Sequence, residues 1–230
     1  MLVVGFDLAT SEAAVRLAEE REGLFAAVGV HPHDAKTVDE GTIRRLKELA
    51  RSERVVALGE IGLDFFRDLS PRATQRMVFE RLIGIARDRG LPIIVHDRNA
   101  HDECLETLRR EQVQEVGAVF HCFSGDAAFA QRVVQAGFYL GLDGPITYPP
   151  RASEAGPSPS HQVARTVPVD RLLIETDCPW LPPQRWRGKR NEPAYLIAVA
   201  EKIGELRGLS FEEVARVTTE NACRLFGRVR

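Results

Sequence analysis

Residues 55–60 read VVALGE. This stretch decides the fold because three later stretches repeat its pattern: PIIVH at 92–96, AVFH at 118–121 and LLIETD at 172–177. A short apolar run without alternation is typical of a parallel strand that is buried on both faces. In a parallel barrel the carboxyl ends of the strands gather at one mouth, where the catalytic groups lie. The four runs lead to Glu60, His96, His121 and Asp177. Because Glu, His and Asp bind divalent metals, the pattern predicts one metal centre built from residues far apart in the sequence.

The bulk composition indicates a soluble globular protein with one α/β domain. The chain has 230 residues, of which 44% are hydrophobic and 28% charged, and a net charge of −2. This charge gives no global attraction to nucleic acid or membrane, so a phosphate-bearing partner must be bound locally. No segment is apolar enough to span a bilayer, and no signal peptide is evident. The four cysteines form no CxxC pair, which favours a reducing cytoplasm.

Strand-like and helix-like stretches alternate along the chain, which predicts a parallel sheet with crossover helices. Strands are predicted near 2–6, 25–30, 55–59, 92–95, 117–120, 138–142 and 171–175. Helices are predicted near 10–20, 40–51, 72–89, 99–110, 126–136, 192–206 and 210–217. A barrel needs eight strands, and seven are found. The stretch 143–168 is rich in Pro, Gly and Ser, so a loop is predicted there, either a flap over the site or a degenerate connection.

Residues beside the four strand ends are assigned from local pattern. Glu60 and Asp64 belong to GEIGLD, in which Gly62 permits a tight turn that presents both carboxylates to one pocket. Strand alternation predicts that Cys122, next to His121, faces outward and packs against helices. Glu175, which precedes Asp177, is expected to face the other way and to have a structural role.

Two further motifs suggest ligand or substrate contacts. His31 and His33 flank a proline, and either metal binding or a substrate contact fits them, with His31 favoured as the functional one. The run RWRGKRN at 185–191 is the one compact basic stretch and could hold phosphate and stack a base, although a solvated surface is the simpler interpretation. Arg98 is a further candidate phosphate contact.

The motifs taken together resemble the TatD family of metal-dependent deoxyribonucleases. The matching segments are GVHPHD at 29–34, GEIGLD at 59–64, VHDR at 95–98, HCFSG at 121–125, ETDCPWL at 175–181 and RGKRNEP at 187–193. They run in order across nearly the whole chain. The resemblance implies a TIM (β/α)8 barrel of the metal-dependent hydrolase type that cleaves DNA phosphodiester bonds, often as an exonuclease.

The family layout also implies the ligand sets. Glu60, His96 and His121 would hold one metal, while Glu60 and Asp177 would share a second with a His-x-His pair on the first strand. This sequence has no such pair before His31. We therefore expect one barrel domain over residues 1–230 that lacks its first strand and is incomplete at its N-terminus.

We accordingly predict hydrolysis of DNA, or of another phosphodiester substrate, by attack of metal-activated water. One or two divalent ions (Mg, Mn or Zn) are expected, with Asp177 as general base and Glu60 as the second catalytic residue. The predicted substrate contacts are His31, Asp64, Arg98, Arg187, Lys189, Arg190 and Asn191. Two alternatives stay open: an amidohydrolase or lactonase on the same fold, and a non-catalytic remnant that binds metal or nucleic acid. The oligomeric state is not predicted.

Overall fold

A computed structural model describes residues 1–150 and 156–227. Strands and α-helices alternate along these residues. The strands are β1 (Leu2–Val4), β2 (Phe25–Val28), β3 (Val55–Asp64), β4 (Ile93–Arg98), β5 (Ala118–Phe120), β6 (Tyr139–Leu142) and β7 (Leu172–Ile174). The helices are α1 (Leu8–Glu20), α2 (Glu40–Leu49), α3 (Arg72–Arg89), α4 (His101–Arg110), α5 (Ala127–Gln135), α6 (Pro159–Thr166), α7 (Leu196–Arg207) and α8 (Phe211–Leu225).

The predicted strands all occur, and the α/β class is confirmed. The prediction of an irregular connection over 143–168 is wrong in part, because α6 lies within it. The Ser158 hydroxyl accepts a hydrogen bond from the backbone N–H of His161, and Pro159 occupies the first turn. Serine before proline is a helix start, and the composition of the segment concealed it. Residues 151–155 of the predicted flap lie outside the described residues.

Contacts divide the chain into two compact units, residues 1–120 with the segment from Cys223 onward, and residues 121–222. In the first unit β1 to β5 are parallel, and each strand is hydrogen-bonded to the next along the chain. Helices α1 to α4 connect them in turn. Every residue of β2 is buried, which explains why the strand sequence shows no alternation.

The carboxyl ends of β3 and β4 approach each other closely. Gly62 of β3 is paired in register with His96 of β4 and has a φ of 150°. A Cβ atom at Gly62 would lie 2.0 Å from the carbonyl oxygen of His96, so only glycine fits. This close approach brings the side chains of Glu60 and His96 together.

In the second unit β6 and β7 are parallel neighbours, with Leu140 opposite Leu172 and Leu142 opposite Ile174. Asp143 directly follows β6, and Asp177 lies three residues beyond β7. Parallel strands place their carboxyl ends at one edge, so the two carboxylates come close. None of the described helices is long and apolar enough to cross a membrane.

Candidate metal centres

The first unit brings together three potential ligands from successive strand ends. His31 follows β2 at the start of a 3₁₀ turn, Glu60 lies within β3, and His96 lies within β4. Their ligand atoms all lie within 4.8 Å of one another. His96 Nδ1 is 2.6 Å from Glu60 Oε1 and 3.0 Å from His31 Nε2. Two imidazoles and a carboxylate suit zinc, manganese or a similar ion. Glu60 and His96 were predicted ligands, whereas His31 was predicted to contact substrate.

Asp64 supports this group through hydrogen bonds to His96 and to the neighbouring His33. Its Oδ2 lies 2.8 Å from His33 Nε2 and 3.2 Å from His96 Nε2, while its Oδ1 accepts hydrogen bonds from the backbone N–H groups of Phe66 and Arg67. Its side chain is 0% exposed. Asp64 was predicted to contact substrate, whereas the structure places its buried carboxylate against the two imidazoles. A carboxylate that bonds the outer nitrogen of an imidazole fixes its orientation, as is common behind metal-binding histidines.

The electrostatics of this group favour a positive charge beside Glu60. Burial, the largest effect, lowers the pKa of His96, but hydrogen bonds to Asp64 and Glu60 outweigh it and raise this pKa to about 8. Burial and then the neighbouring His96 lower the pKa of His31 to about 3. Desolvation raises the pKa of Asp64, yet bonds from His96, Arg67 and His33 bring it below its ordinary value. A divalent ion would supply positive charge beside Glu60, so the donor set of His31, Glu60 and His96 fits a metal.

The second unit contains a separate group formed by Cys122, Asp143 and Asp177, whose ligand atoms also lie within 4.8 Å of one another. The Cys122 thiol donates to Asp143 Oδ2 at 3.2 Å. Burial, and then the neighbouring Glu175, raises the pKa of Asp143 to about 7. Burial and Asp143 raise the pKa of the Cys122 thiol well above its ordinary value, so this sulfur is a protonated donor.

The expectation that Cys122 packs outward is wrong. β5 ends at Phe120, and Cys122 has a φ of 45°, so strand alternation no longer applies there. Sequence reasoning also passed over Asp143. The signal was present, because Asp143 follows the apolar run YLGL at 139–142 just as Glu60 and His96 follow theirs.

His121 and Asp177, both predicted metal ligands, lie together in the second unit. His121 Nε2 is 3.4 Å from Asp177 Oδ1, and His121 Nδ1 is 2.9 Å from Glu175 Oε2. The other oxygen of Glu175 accepts the backbone N–H of Cys122. Glu175 thus holds the imidazole of His121 in place, which agrees with the structural role expected for it. The predicted set of Glu60, His96, His121 and Asp177 draws on both units, and each unit contains half of it.

The basic run lies in the loop after Asp177. Arg187, Lys189 and Arg190 are exposed, and the guanidinium carbon of Arg187 lies 4.5 Å from the centroid of the Tyr148 ring. Their predicted contacts with phosphate stay predictions. In the first unit Arg98 is also exposed, with its guanidinium carbon 4.2 Å from the Phe66 ring centroid.

Asn191, in contrast, is 2% exposed. Its Nδ2 donates to the carbonyl oxygens of Thr176 and Trp180, and its Oδ1 accepts the backbone N–H of Glu192. Asn191 was predicted to contact substrate, whereas the structure places its buried amide in the hydrogen bonds that hold the loop carrying Asp177.

Comparisons with known proteins agree with this geometry. A family model described as TatD related DNase matches residues 1–227. The uncharacterized metal-dependent hydrolase YabD of Bacillus subtilis is 44% identical over 226 residues, which cover 98% of this chain and 86% of YabD. A protein of Cronobacter sakazakii named 3'-5' ssDNA/RNA exonuclease TatD is 37% identical over 230 residues, covering 98% of this chain and 86% of that protein.

Solved structures extend the similarity to the fold. The crystal structure of YjjV, a TatD homologue from Escherichia coli K12, has a TM-score of 0.90 and 33% identity, and the match covers 98% of this chain and 85% of YjjV. A hydrolase of the TatD family from Entamoeba histolytica has a TM-score of 0.86 at 22% identity, covering 97% of this chain and 83% of its own. These structures confirm the predicted fold class, the α/β barrel type of metal-dependent hydrolases. The chain belongs to the TatD-related DNase family and is a metal-dependent hydrolase of that family.

Proposed function

We propose that this chain hydrolyses phosphodiester bonds in DNA and removes nucleotides from an end of the strand. The observation that carries the proposal is the exposed basic run Arg187, Lys189 and Arg190 in the loop that follows Asp177. A phosphodiester is anionic and gains from nearby cations, whereas a neutral amide or lactone needs none. The name of the Cronobacter sakazakii relative, 3'-5' ssDNA/RNA exonuclease, supports the same substrate class.

The proposed metal ligands are Glu60 and His96 with His31 in the first unit, and Asp177 with His121 in the second. One or two divalent ions there would lower the pKa of a water molecule and stabilise negative charge on phosphate oxygens. Glu60 would hold the ion and is the second proposed catalytic residue. Asp177 is the proposed general base, because its side chain is 27% exposed and therefore within reach of solvent.

The direct test uses purified protein freed of metal with a chelator and then supplied with Mg²⁺, Mn²⁺ or Zn²⁺. We expect metal-dependent shortening of an end-labelled single-stranded oligonucleotide in steps of one nucleotide. Asp177→Asn should remove most of this activity, while Asp170→Asn, the same change at an exposed position of the second unit, should not. An Asp177→Asn protein with full activity would refute the assignment of the base.

The same preparation separates the alternatives. Turnover of small esters, lactones or amides without turnover of DNA would favour an amidohydrolase. Binding of DNA without turnover at saturating concentrations of all three metals would favour a non-catalytic protein.

A further inference from the structure

Trp180 is the most exposed large apolar side chain of the second unit, with 70% of its surface accessible. It lies three residues after Asp177, in the same loop as the basic run. Among the described residues of this unit, no aromatic ring or cation stacks on it. Tryptophan is enriched at binding surfaces, and this exposed indole shares its loop with Asp177 and the basic run.

The backbone around Trp180 is fixed although its side chain is exposed. The Trp180 N–H donates to the carbonyl oxygen of Asp177 at 2.9 Å, and its own carbonyl oxygen accepts from Asn191 Nδ2 at 2.7 Å. The Tyr148 hydroxyl donates to the carbonyl oxygen of Pro182 at 2.9 Å. Gly144 packs so tightly that a Cβ atom there would lie 2.0 Å from the carbonyl oxygen of Leu181. The indole is therefore presented from a rigid loop, which lowers the entropic cost of binding.

The second tryptophan of the loop is used differently. Trp186 stacks on Tyr195 with ring centroids 3.9 Å apart and an interplanar angle of 4°, and the Arg185 guanidinium carbon lies 5.2 Å from the Trp186 centroid. Trp186 thus packs within the protein. Of the two tryptophans in the chain, Trp180 is exposed, whereas Trp186 is half-buried and already stacked on Tyr195.

We propose that Trp180 is a stacking platform for one unpaired nucleobase of the substrate, while Arg187, Lys189 and Arg190 hold the adjoining phosphates. This inference rests on the proposed function and deepens it. A base can lie flat on an indole only when it is not paired and stacked in a duplex, so the site selects single-stranded ends. Stacking requires only a π face, so the platform accepts all four bases.

The first test compares wild type with Trp180→Ala on two single-stranded oligonucleotides. One carries normal bases, and the other carries abasic residues at its last three positions. For the normal oligonucleotide we expect Trp180→Ala to bind roughly 5- to 150-fold more weakly, the equivalent of one base–aromatic stack. On the abasic oligonucleotide the two proteins should bind alike. Trp180→Phe should retain most of the affinity, and Ile197→Ala, at another exposed apolar side chain of the second unit, should retain all of it.

The second test needs no turnover and stays informative if Trp180→Ala does not fold. The chain has two tryptophans, so Trp186→Phe makes Trp180 the sole indole reporter, and Trp180→Phe leaves Trp186. Binding of a fluorescein-labelled oligonucleotide is followed by polarisation in the presence of a chelator, while tryptophan emission is recorded in parallel. We expect quenching in Trp186→Phe with the normal oligonucleotide, little quenching with the abasic one, and little in Trp180→Phe with either.

The outcomes separate this inference from the proposed function. Equal loss of affinity on normal and abasic oligonucleotides, or polarisation without quenching in Trp186→Phe, overturns the stacking platform even if DNA is cleaved. Quenching that depends on the bases supports the platform even if wild type cleaves nothing, in which case only the proposed function fails.

Discussion

Replacement of Asp64 separates the stability of the first unit from its affinity for metal. Asp64→Ala leaves two backbone N–H groups, those of Phe66 and Arg67, without their acceptor. A donor that loses its partner costs about 1–3 kcal/mol when it is buried. Phe66 and Arg67 are exposed residues, and water can replace part of the loss. We therefore expect Asp64→Ala to lower the free energy of unfolding by about 2–3 kcal/mol, which lowers the urea midpoint by about 1 M.

Asp64→Asn should behave differently. The amide oxygen still accepts both backbone N–H groups, so the fold is nearly unchanged. The amide nitrogen cannot accept from His33 or His96, so both imidazoles lose the group that orients them. Loss of such a partner typically weakens metal binding about 10- to 100-fold.

The assays are urea unfolding for stability and competition with a chromogenic chelator for metal affinity. Asp68→Asn is the matched control, since Asp68 lies in the same loop, is exposed and pairs with Arg72. It should leave both measurements unchanged. If Asp64→Asn binds metal as tightly as Asp68→Asn, or if Asp64→Ala unfolds at the same urea concentration as this control, the supporting role given to Asp64 is wrong.

Three further results are expected. Chelation should lower the Tm of wild type, because an ion that binds only the folded state stabilises it, and His31→Ala should shrink this difference in a thermal melt. Asn191→Asp places carboxylate oxygens against two carbonyl oxygens, so kcat/KM for an oligonucleotide should fall in steady-state assays. The decrease in kcat/KM should be smaller for Asn191→Ser. Replacement of Arg187, Lys189 and Arg190 by Ala should make the slope of log affinity against log salt concentration for single-stranded DNA less negative by about 2. Each phosphate that the protein no longer neutralises accounts for about 0.7 of this change.

Much of the fold could be predicted because buried parallel strands have a simple sequence pattern. An apolar run followed by a polar ligand-type residue marks both the strand and the end at which active sites form. This pattern predicted β3 and β4, and it predicted that Glu60 and His96 lie close together. The same pattern applies to Asp143, which was not predicted as a site residue. The residues that follow it are rich in Pro and Gly, so the whole segment was predicted to be a loop.

The remaining errors arose where local backbone geometry departs from the regular element. The outward assignment of Cys122 assumed that β5 continues beyond Phe120, and the positive φ of Cys122 turns the side chain toward Asp143 instead. The role of Asn191 depends on hydrogen bonds to a loop up to 15 residues earlier in the chain. No periodicity or composition carries information about such contacts.

The two candidate groups share one design, which explains why residue type alone assigns roles poorly here. Beside each group one carboxylate faces the potential ligand atoms and a second contacts an imidazole, that of His96 in the first unit and of His121 in the second. Glu60 is paired in this way with Asp64, and Asp177 with Glu175. Both members of each pair lie in or just after the carboxyl-terminal part of a strand region, so residue type and position alone do not distinguish them. Burial distinguishes the first pair, since Glu60 is 16% exposed and Asp64 is 0% exposed. A carboxylate without access to solvent cannot meet a substrate, and the contribution of Asp64 is the orientation of His96.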